Sequence, residues 1–151
     1  VLRGWSALLE IQVEVQGGQL RLVPLDDSGT LLRKHFLQLD GLGVRDLHFH
    51  GDDLYILAGP TMVLNGDIRV FKWPSARTVL AANQEPARFE SGLTESVSLP
   101  HGRGVNRAEA ICELPPALAD GKLCWLVLYD APGADRRHGA HTVFGDLLRR
   151  T

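Results

Sequence analysis

The sequence lacks an excess of charge of either sign. Its 16 Lys and Arg residues and 18 Asp and Glu residues give a formal net charge of −2 at pH 7. A protein that binds a polyanion needs a basic surface, so this balance argues against nucleic acid as a partner. The sequence also has no apolar run close to the ~20 residues that a membrane-spanning helix needs. Neither a nucleic acid nor a membrane is therefore an expected partner.

Cysteine is scarce as well, with Cys112 and Cys124 as its two examples. Two thiols do not make a disulfide framework of the kind found in small secreted domains. Both lie in apolar, strand-like runs, which favours buried free thiols, and a bridge across a hairpin is the alternative. The chain also has no basic segment followed by an apolar stretch, the pattern of a signal peptide. Because the chain begins at Val1 rather than Met, this absence says little about the location, for which the cytoplasm is the expectation.

Helix signals are few, because 16 Gly and 8 Pro interrupt the sequence at short intervals. Alternation of apolar and polar residues dominates instead. It runs from Trp5 to Val15, and Gly17 and Gly18 then turn the chain into a second alternating run. This pattern predicts a hairpin over residues 1–25. With an ordinary globular composition, residues 1–151 are predicted to form a single all-β unit.

Two further groups of short strands follow the hairpin. The first is predicted over residues 35–73, with strands at 35–39, 44–50, 54–58 and 68–73. The second is predicted over residues 96–148, with strands at 96–99, 108–114, 122–129 and 142–148, and a helix is the alternative for the last segment. Each group reads as a four-stranded antiparallel meander, bounded by turn residues.

Aligned with each other, the two meanders indicate a repeated unit of the β-propeller type. Together with the hairpin they make about two and a half blades, whereas propellers typically have at least 4. We therefore expect a propeller-like chain that belongs to a larger ring, completed by missing N-terminal blades or by an oligomer. An irregular β-sandwich or barrel is the alternative.

Several short strings carry a family resemblance. They are Val-Leu-Arg-Gly-Trp from Val1, Lys-His-Phe-Leu from Lys34, Gly-Leu-Gly-Val-Arg-Asp-Leu from Gly41 and Ile-Leu-Ala-Gly-Pro-Thr-Met from Ile56. Arg-Ala-Glu-Ala-Ile and Tyr-Asp-Ala-Pro follow near the end of the chain. In these strings the chain resembles the bacterial DUF3616 family of uncharacterised proteins. The resemblance implies a β-propeller fold and the C-terminal part of a longer protein, and it implies no known activity. Ala110 departs from the family pattern, which tends to have Gly there.

Asp46 and Glu109 occupy the same place in the two predicted repeats. If the strands surround a channel, these carboxylates are candidate ligands for a hard divalent cation such as Ca²⁺. By fold analogy with propeller lactonases and phytases, the site would then belong to a metal-dependent hydrolase, with Arg3, Arg45 and Arg107 as contacts for a substrate anion. The alternative is structural: Asp46 pairs with Arg45 or another arginine, and Glu109 pairs with Arg107.

His48 and His50 stand two residues apart on one strand, so their side chains share a face. This is a geometry that metal sites use, although solvated histidines at a strand end are the expected interpretation. His138 and His141 lie in a polar loop that we expect to be a solvated connection. The tryptophans are expected to fill space between sheets.

The sequence contains no nucleophile motif and no phosphate-binding loop. It therefore lacks a complete catalytic set. The leading hypothesis is a binding or scaffolding propeller segment whose partner is a protein or small molecule, and the metal-dependent hydrolase is the alternative.

Overall fold

The computed structural model describes residues 4–61, 66–101, 106–120, 124–130 and 132–149. Strands dominate these ranges, and the helical segments in them are short: α1 (Ala76–Ala82) and two 3₁₀ helices, Pro116–Leu118 and Ala134–Arg136. None of the helices in these ranges has the length and apolar character needed to cross a membrane. The all-β prediction is confirmed.

The strands, in chain order, are β1 (Trp5–Gln16), β2 (Gln19–Val23), β3 (Leu32–Gln38), β4 (Gly43–His50), β5 (Asp53–Gly59), β6 (Ile68–Trp73), β7 (Ala87–Glu90), β8 (Thr94–Leu99), β9 (Ala108–Glu113), β10 (Cys124–Tyr129), β11 (Arg137–His138), β12 (Thr142–Val143) and β13 (Asp146–Arg149).

Three sheets contain most of these strands. Sheet 1 has the order β2-β1-β3-β7, sheet 2 has β4-β5-β6-β8, and sheet 3 has β13-β10-β9. Strands β11 and β12 form a separate two-stranded ladder. Neighbours are antiparallel except for β3 and β7, which run parallel. The predicted β1–β2 hairpin is present, and its turn uses Gly17 and Gly18, both with positive φ.

The grouping of the next strands differs from the one predicted from the sequence. Strand β3 pairs with β1 in sheet 1, and β8 takes the fourth place in sheet 2. Asp40 and Gly41 have φ angles of 51° and 81°, and this left-handed turn carries the chain from β3 across to the next sheet. The last predicted strand is divided between β12 and β13, with Gly145 between them.

Sheet 2 lies in the middle of the stack, between two apolar clusters. Residues of its strand β5 alternate between the clusters, since Leu54 and Ile56 face sheet 1 whereas Tyr55 and Leu57 face sheet 3. Both faces of β5 are therefore buried, which accounts for its continuous apolar sequence. Sheet 1 and sheet 3 each have one face against sheet 2.

The tryptophans and cysteines fit this layering in part. Trp73 is buried between sheets 1 and 2, and Trp125 is buried between sheets 2 and 3. Trp5 instead contacts Phe89 edge to face on sheet 1. Both cysteines are free thiols; Cys124 is buried as expected, whereas Cys112 is exposed. The alternation of β9 explains this difference, because it turns Ile111 into the core and its neighbour outward.

Candidate functional site

The first strands of sheets 2 and 3, β4 and β9, are edge strands that lie next to each other. Polar side chains join them at three levels. We call this region the seam, and it comprises Arg45, Asp46, His48 and His50 of β4 with Glu109, Ile111 and Glu113 of β9. Every residue of the predicted Asp46, Glu109 and His48–His50 constellations therefore belongs to one contact between two sheets.

Strands β4 and β9 each contain one extra residue, a β-bulge, at the equivalent position of their ladders. In β4, Val44 is opposite Ala58 and Asp46 is opposite Leu57, so Arg45 is an extra residue in the ladder. In β9, Ala108 is opposite Tyr129 and Ala110 is opposite Leu128, so the extra residue is Glu109. The structure thus makes Arg45 the counterpart of Glu109. The sequence alignment paired Asp46 with Glu109 and was one residue out of register.

At the first level, the two extra residues bind each other. Nη1 of Arg45 donates to Oε1 of Glu109 in a close ion pair, and Nη2 donates to the carbonyl oxygen of Pro60 at 2.9 Å. The arginine side chain crosses Gly59 so closely that a Cβ there would lie 2.2 Å from Nε. Burial lowers the pKa of Arg45, and the nearby charge of Arg107 lowers it further, whereas Asp130 raises it. Arg45 is therefore a fixed, partly desolvated charge.

At the second level, Asp46 joins the sheets through the backbone. Its Oδ2 accepts a hydrogen bond from the N–H of Ile111 at 2.8 Å, and its Oδ1 accepts one from the N–H of Leu47 at the same distance. The first bond satisfies a donor on the free edge of β9 that has no strand partner on that side. Asp46 therefore acts as a clasp between sheets 2 and 3.

At the third level, the histidines contact sheet 3. Nδ1 of His50 lies 2.7 Å from Oε2 of Glu113, and Nε2 of His48 lies 3.8 Å from the same oxygen. The His48 ring also packs edge-on against Trp125, with 4.9 Å between ring centroids. The histidines were expected to be solvated at a strand end, but the neighbouring sheet engages them because β9 and Trp125 lie directly beside β4.

An open cleft of about 510 Å³ lies at the Arg45 end of the seam. Arg107 shares this cleft with Arg45, and no ion pair or side-chain hydrogen bond to Arg107 is present among the described residues. Two of the three predicted anion contacts are thus brought together, whereas Arg3 lies outside the described residues. The cleft is lined by, among others, Gly43, Arg45, Gly59, Thr61, Arg107 and Glu109.

Asp46 and Glu109, the predicted ligands of a divalent cation, both make other contacts in the seam. In the part of the chain that the structure describes, no group of three or more His, Cys, Asp and Glu side chains is arranged to hold a metal ion. Both oxygens of Asp46 already accept backbone hydrogen bonds, and Glu109 is paired with Arg45. These observations do not favour Ca²⁺ coordination, which requires six to eight oxygen ligands. The calcium site stays a prediction from the sequence.

A second charged cluster, between sheets 1 and 2, was missed by the sequence analysis. His35 is 1% exposed and lies between two carboxylates, with Nε2 3.0 Å from Glu10 and Nδ1 3.6 Å from Glu90. Arg33, also buried, reaches Glu10 at 3.6 Å and Asp26 at 2.7 Å. The signal was available in the alternating polar residues of β1 and β3, but their pairing had to be known first.

Asp26 is held by several donors at the margin of this cluster. The hydrogen bond from Ser28 is the strongest influence and lowers the pKa of Asp26; desolvation opposes it, and bonds from Thr30 and Arg33 lower the pKa further. The Ser28 hydroxyl lies 2.6 Å from Oδ1 and the Arg33 guanidinium 2.7 Å from Oδ2. The pKa of Asp26 is consequently far below its ordinary value of 3.8.

A smaller cluster in sheet 3 was also missed. The Tyr129 hydroxyl donates to Asp146, and Arg136 makes two hydrogen bonds with the same carboxylate while its guanidinium lies over the tyrosine ring. Burial and the Asp146 contact raise the pKa of Tyr129 to about 12. His138 and His141 of the nearby loop are exposed, as expected.

The comparisons with known proteins agree with the resemblance seen in the sequence strings. The model of the family described as a protein of unknown function, DUF3616, matches residues 1–146. Neither the curated proteins nor the solved structures include a match to the chain. Because the family model covers nearly the whole sequence, the chain belongs to the DUF3616 family.

Proposed function

We propose that this chain is a ligand-binding segment of a β-propeller-like protein, and that the cleft beside Arg45 and Arg107 binds a small oxyanion. The propeller-like arrangement is supported by the seam. Sheets 2 and 3 each begin with an edge strand that is irregular at the equivalent residue, and these two strands face each other. Repeated sheets that meet along equivalent inner strands are the arrangement of propeller blades around an axis.

The observation that carries the binding proposal is the guanidinium of Arg107. Arg107 lines the cleft, and none of the described residues makes an ion pair or side-chain hydrogen bond with it. A guanidinium has five N–H donors in a planar fork that matches a carboxylate or phosphate group. Arg45 has no such freedom, since Glu109 and Pro60 occupy its terminal nitrogens. Arg107 is therefore the contact residue, whereas the charge of Arg45 is balanced by Glu109.

The charges around the cleft limit the size of the ligand. Glu109 neutralises Arg45, and Asp130 lies close enough to Arg45 to raise its pKa. This leaves room for one oxyanionic group rather than a polyanion, which agrees with the net charge of −2. Gly43 and Gly59 also line the cleft, but the space over them is filled by the Thr61 methyl group and by the Arg45 side chain, so the anion is expected beside Arg107.

The test is a titration of the folded chain with inorganic phosphate and, separately, with acetate. We expect saturable shifts in the ¹H–¹⁵N signals of the Arg107 side chain and of the Gly43 and Gly59 amides. Arg107→Met should raise the dissociation constant at least about 10-fold, the effect of losing a charged hydrogen bond. Arg21→Met, which removes an exposed arginine of the β1–β2 hairpin, is the matched control and should bind like the parent. Equal binding by Arg107→Met and the parent would disprove the site.

A further inference from the structure

A cavity of about 240 Å³ lies between sheets 1 and 2. Residues of β1 and β4 line it, and β3, β5, β6 and α1 contribute one residue each. These walls all belong to this chain, so the cavity needs no second copy or other protein segment to form it. An apolar cavity of about 150 Å³ is large enough to hold benzene. The space between the sheets can therefore hold a molecule with one ring or a short chain.

The walls of the cavity are mostly apolar. Five of the side chains belong to the cluster shared by sheets 1 and 2 or pack against it: Leu8, Phe49, Leu54, Trp73 and Leu80. Leu47 is opposite Ile56 in the ladder, so its side chain lies on the same side of sheet 2. It is 42% exposed, which places Leu47 at the opening of the cavity. An apolar molecule can thus enter beside Leu47.

One end of the cavity is ionisable, because Glu10 and His35 also line it. Oε2 of Glu10 lies 3.0 Å from Nε2 of His35. Oε1 lies 3.6 Å from Nη1 of Arg33, which is too long for a hydrogen bond, and none of the described residues donates one to it. The Glu10 side chain is 20% exposed, so this oxygen is not closed off from solvent. Oε1 is therefore an unused acceptor beside the cavity.

The charges around Glu10 do not balance. Three carboxylates lie near two guanidiniums: Glu10, Asp26 and Glu90 with Arg33 and Arg88. Nδ1 of His35 is buried without a hydrogen-bond partner among the described residues, so a second proton on the ring would have no acceptor. This favours the neutral ring, with its proton donated from Nε2 to Glu10. The cluster then lacks one positive charge, and buried charges are costly unless they are paired.

Arg77 does not supply this charge, although it also lies near the cavity. Its guanidinium is held 4.1 Å from the centre of the Phe49 ring, and its Nε donates to the carbonyl oxygen of Gly51. No ion pair or hydrogen bond joins Arg77 to Glu10 among the described residues. The acidic end of the cavity is therefore left for a ligand.

We propose that the cavity between sheets 1 and 2 binds a small organic cation, namely an ammonium group on a single ring or short apolar chain. The ammonium group donates to Oε1 of Glu10 and supplies the missing positive charge, while the apolar part lies against Trp73 and Leu54. An ammonium group has donors and no acceptor, which suits a carboxylate. This site goes beyond the oxyanion cleft, from which it differs in location and in the sign of the ligand's charge.

The first test compares three probes that share a phenyl ring and a short chain: 2-phenylethylammonium, 2-phenylethanol and 3-phenylpropanoate. Each is titrated into the folded chain while the NMR signals of the Trp73 indole and the His35 ring are recorded. The ammonium probe should give saturable shifts and bind at least about 10-fold more tightly than the alcohol, the effect of a charged hydrogen bond. The anion should bind more weakly than the alcohol. Equal affinities for the ammonium and the alcohol would overturn the cation site.

The second test removes the charge of the site or closes its opening. Glu10→Gln should raise the dissociation constant of the ammonium probe at least about 10-fold and that of the alcohol less than about threefold. Leu47→Trp covers the case in which Glu10→Gln does not fold, and it should weaken binding of both probes by filling the opening. Leu128→Trp is its matched control, since Leu128 is also 42% exposed but lies on sheet 3. Equal binding by the two tryptophan variants would exclude the cavity.

A third measurement separates this site from the oxyanion cleft. Arg107→Met should bind the ammonium probe like the parent, and Glu10→Gln should bind inorganic phosphate like the parent. Loss of the phosphate site would then leave the cation site standing, and the reverse also holds. If Arg107→Met instead changes the affinity for the ammonium probe as much as Glu10→Gln does, the probe does not report on the cavity and the proposal is wrong.

Discussion

The two interfaces of sheet 2 differ in where their ionisable side chains lie. Towards sheet 3, the centre of the interface is apolar and the charged pairs lie along one edge, in the seam. Towards sheet 1, ionisable groups lie inside: the side chains of Arg33 and His35 are 5% and 1% exposed. Charges removed from water are costly unless they stay paired, whereas pairs at an edge keep part of their hydration. The two interfaces should therefore respond very differently to loss of one partner.

The largest effect is expected from Arg33→Met. The substitution keeps most of the side-chain volume but leaves Glu10 and Asp26 without their shared cation. Breaking a buried pair in this way costs about 3–5 kcal/mol of unfolding free energy. Urea unfolding followed by circular dichroism measures it. Arg69→Met is the control, because Asp40 and Glu95, the two carboxylates that Arg69 binds, are 57% and 44% exposed, and it should cost about 1 kcal/mol or less. Equal losses would mean that burial does not distinguish the two pairs.

An intermediate effect is expected from Asp46→Ala in the seam. It removes the acceptor for the N–H of Ile111 and should cost about 1–3 kcal/mol, the penalty for a backbone donor left unsatisfied. Addition of millimolar Ca²⁺ should leave the melting temperature of the parent unchanged if Asp46 acts as a clasp. A rise of several degrees in the parent, absent from Asp46→Ala and Glu109→Ala, would instead support the calcium site, since a ligand at 100 times its dissociation constant adds about 2.7 kcal/mol.

The contrast between the interfaces also shows what could be predicted from the sequence. The hairpin at Gly17 and Gly18 and the buried strand β5 were predictable because their signals are local, namely turn residues and runs of apolar side chains. The placement of β3 was not, because its pairing with β1 depends on a turn that sends the chain to the next sheet. The ion pair of Arg45 and Glu109 joins residues 64 positions apart and depends on two single-residue irregularities, which shift the register by one. The charged residues of β4 and β9 could therefore be identified from the sequence, whereas the residues that they bind could not.

The smallest effect is the pH dependence contributed by Asp26 at the margin of the sheet 1 cluster. Because hydrogen bonds from Ser28, Thr30 and Arg33 hold its folded-state pKa below the ordinary 3.8, the carboxylate stabilises the folded state above that pH. This contribution decreases as the pH falls below about 4 towards the lower folded-state pKa. We expect the unfolding free energy of the parent to decrease from pH 5 to pH 2 more steeply than that of Asp26→Asn.

Asp27→Asn provides the matched control for this measurement. It changes the neighbouring aspartate, for which no hydrogen bond or ion pair is found among the described residues, and should keep the slope of the parent. If Asp27→Asn flattens the curve as much as Asp26→Asn, acid acts through the charge of the whole turn rather than through the donors around Asp26. The hydrogen bonds from Ser28, Thr30 and Arg33 would then not account for the loss of stability in acid.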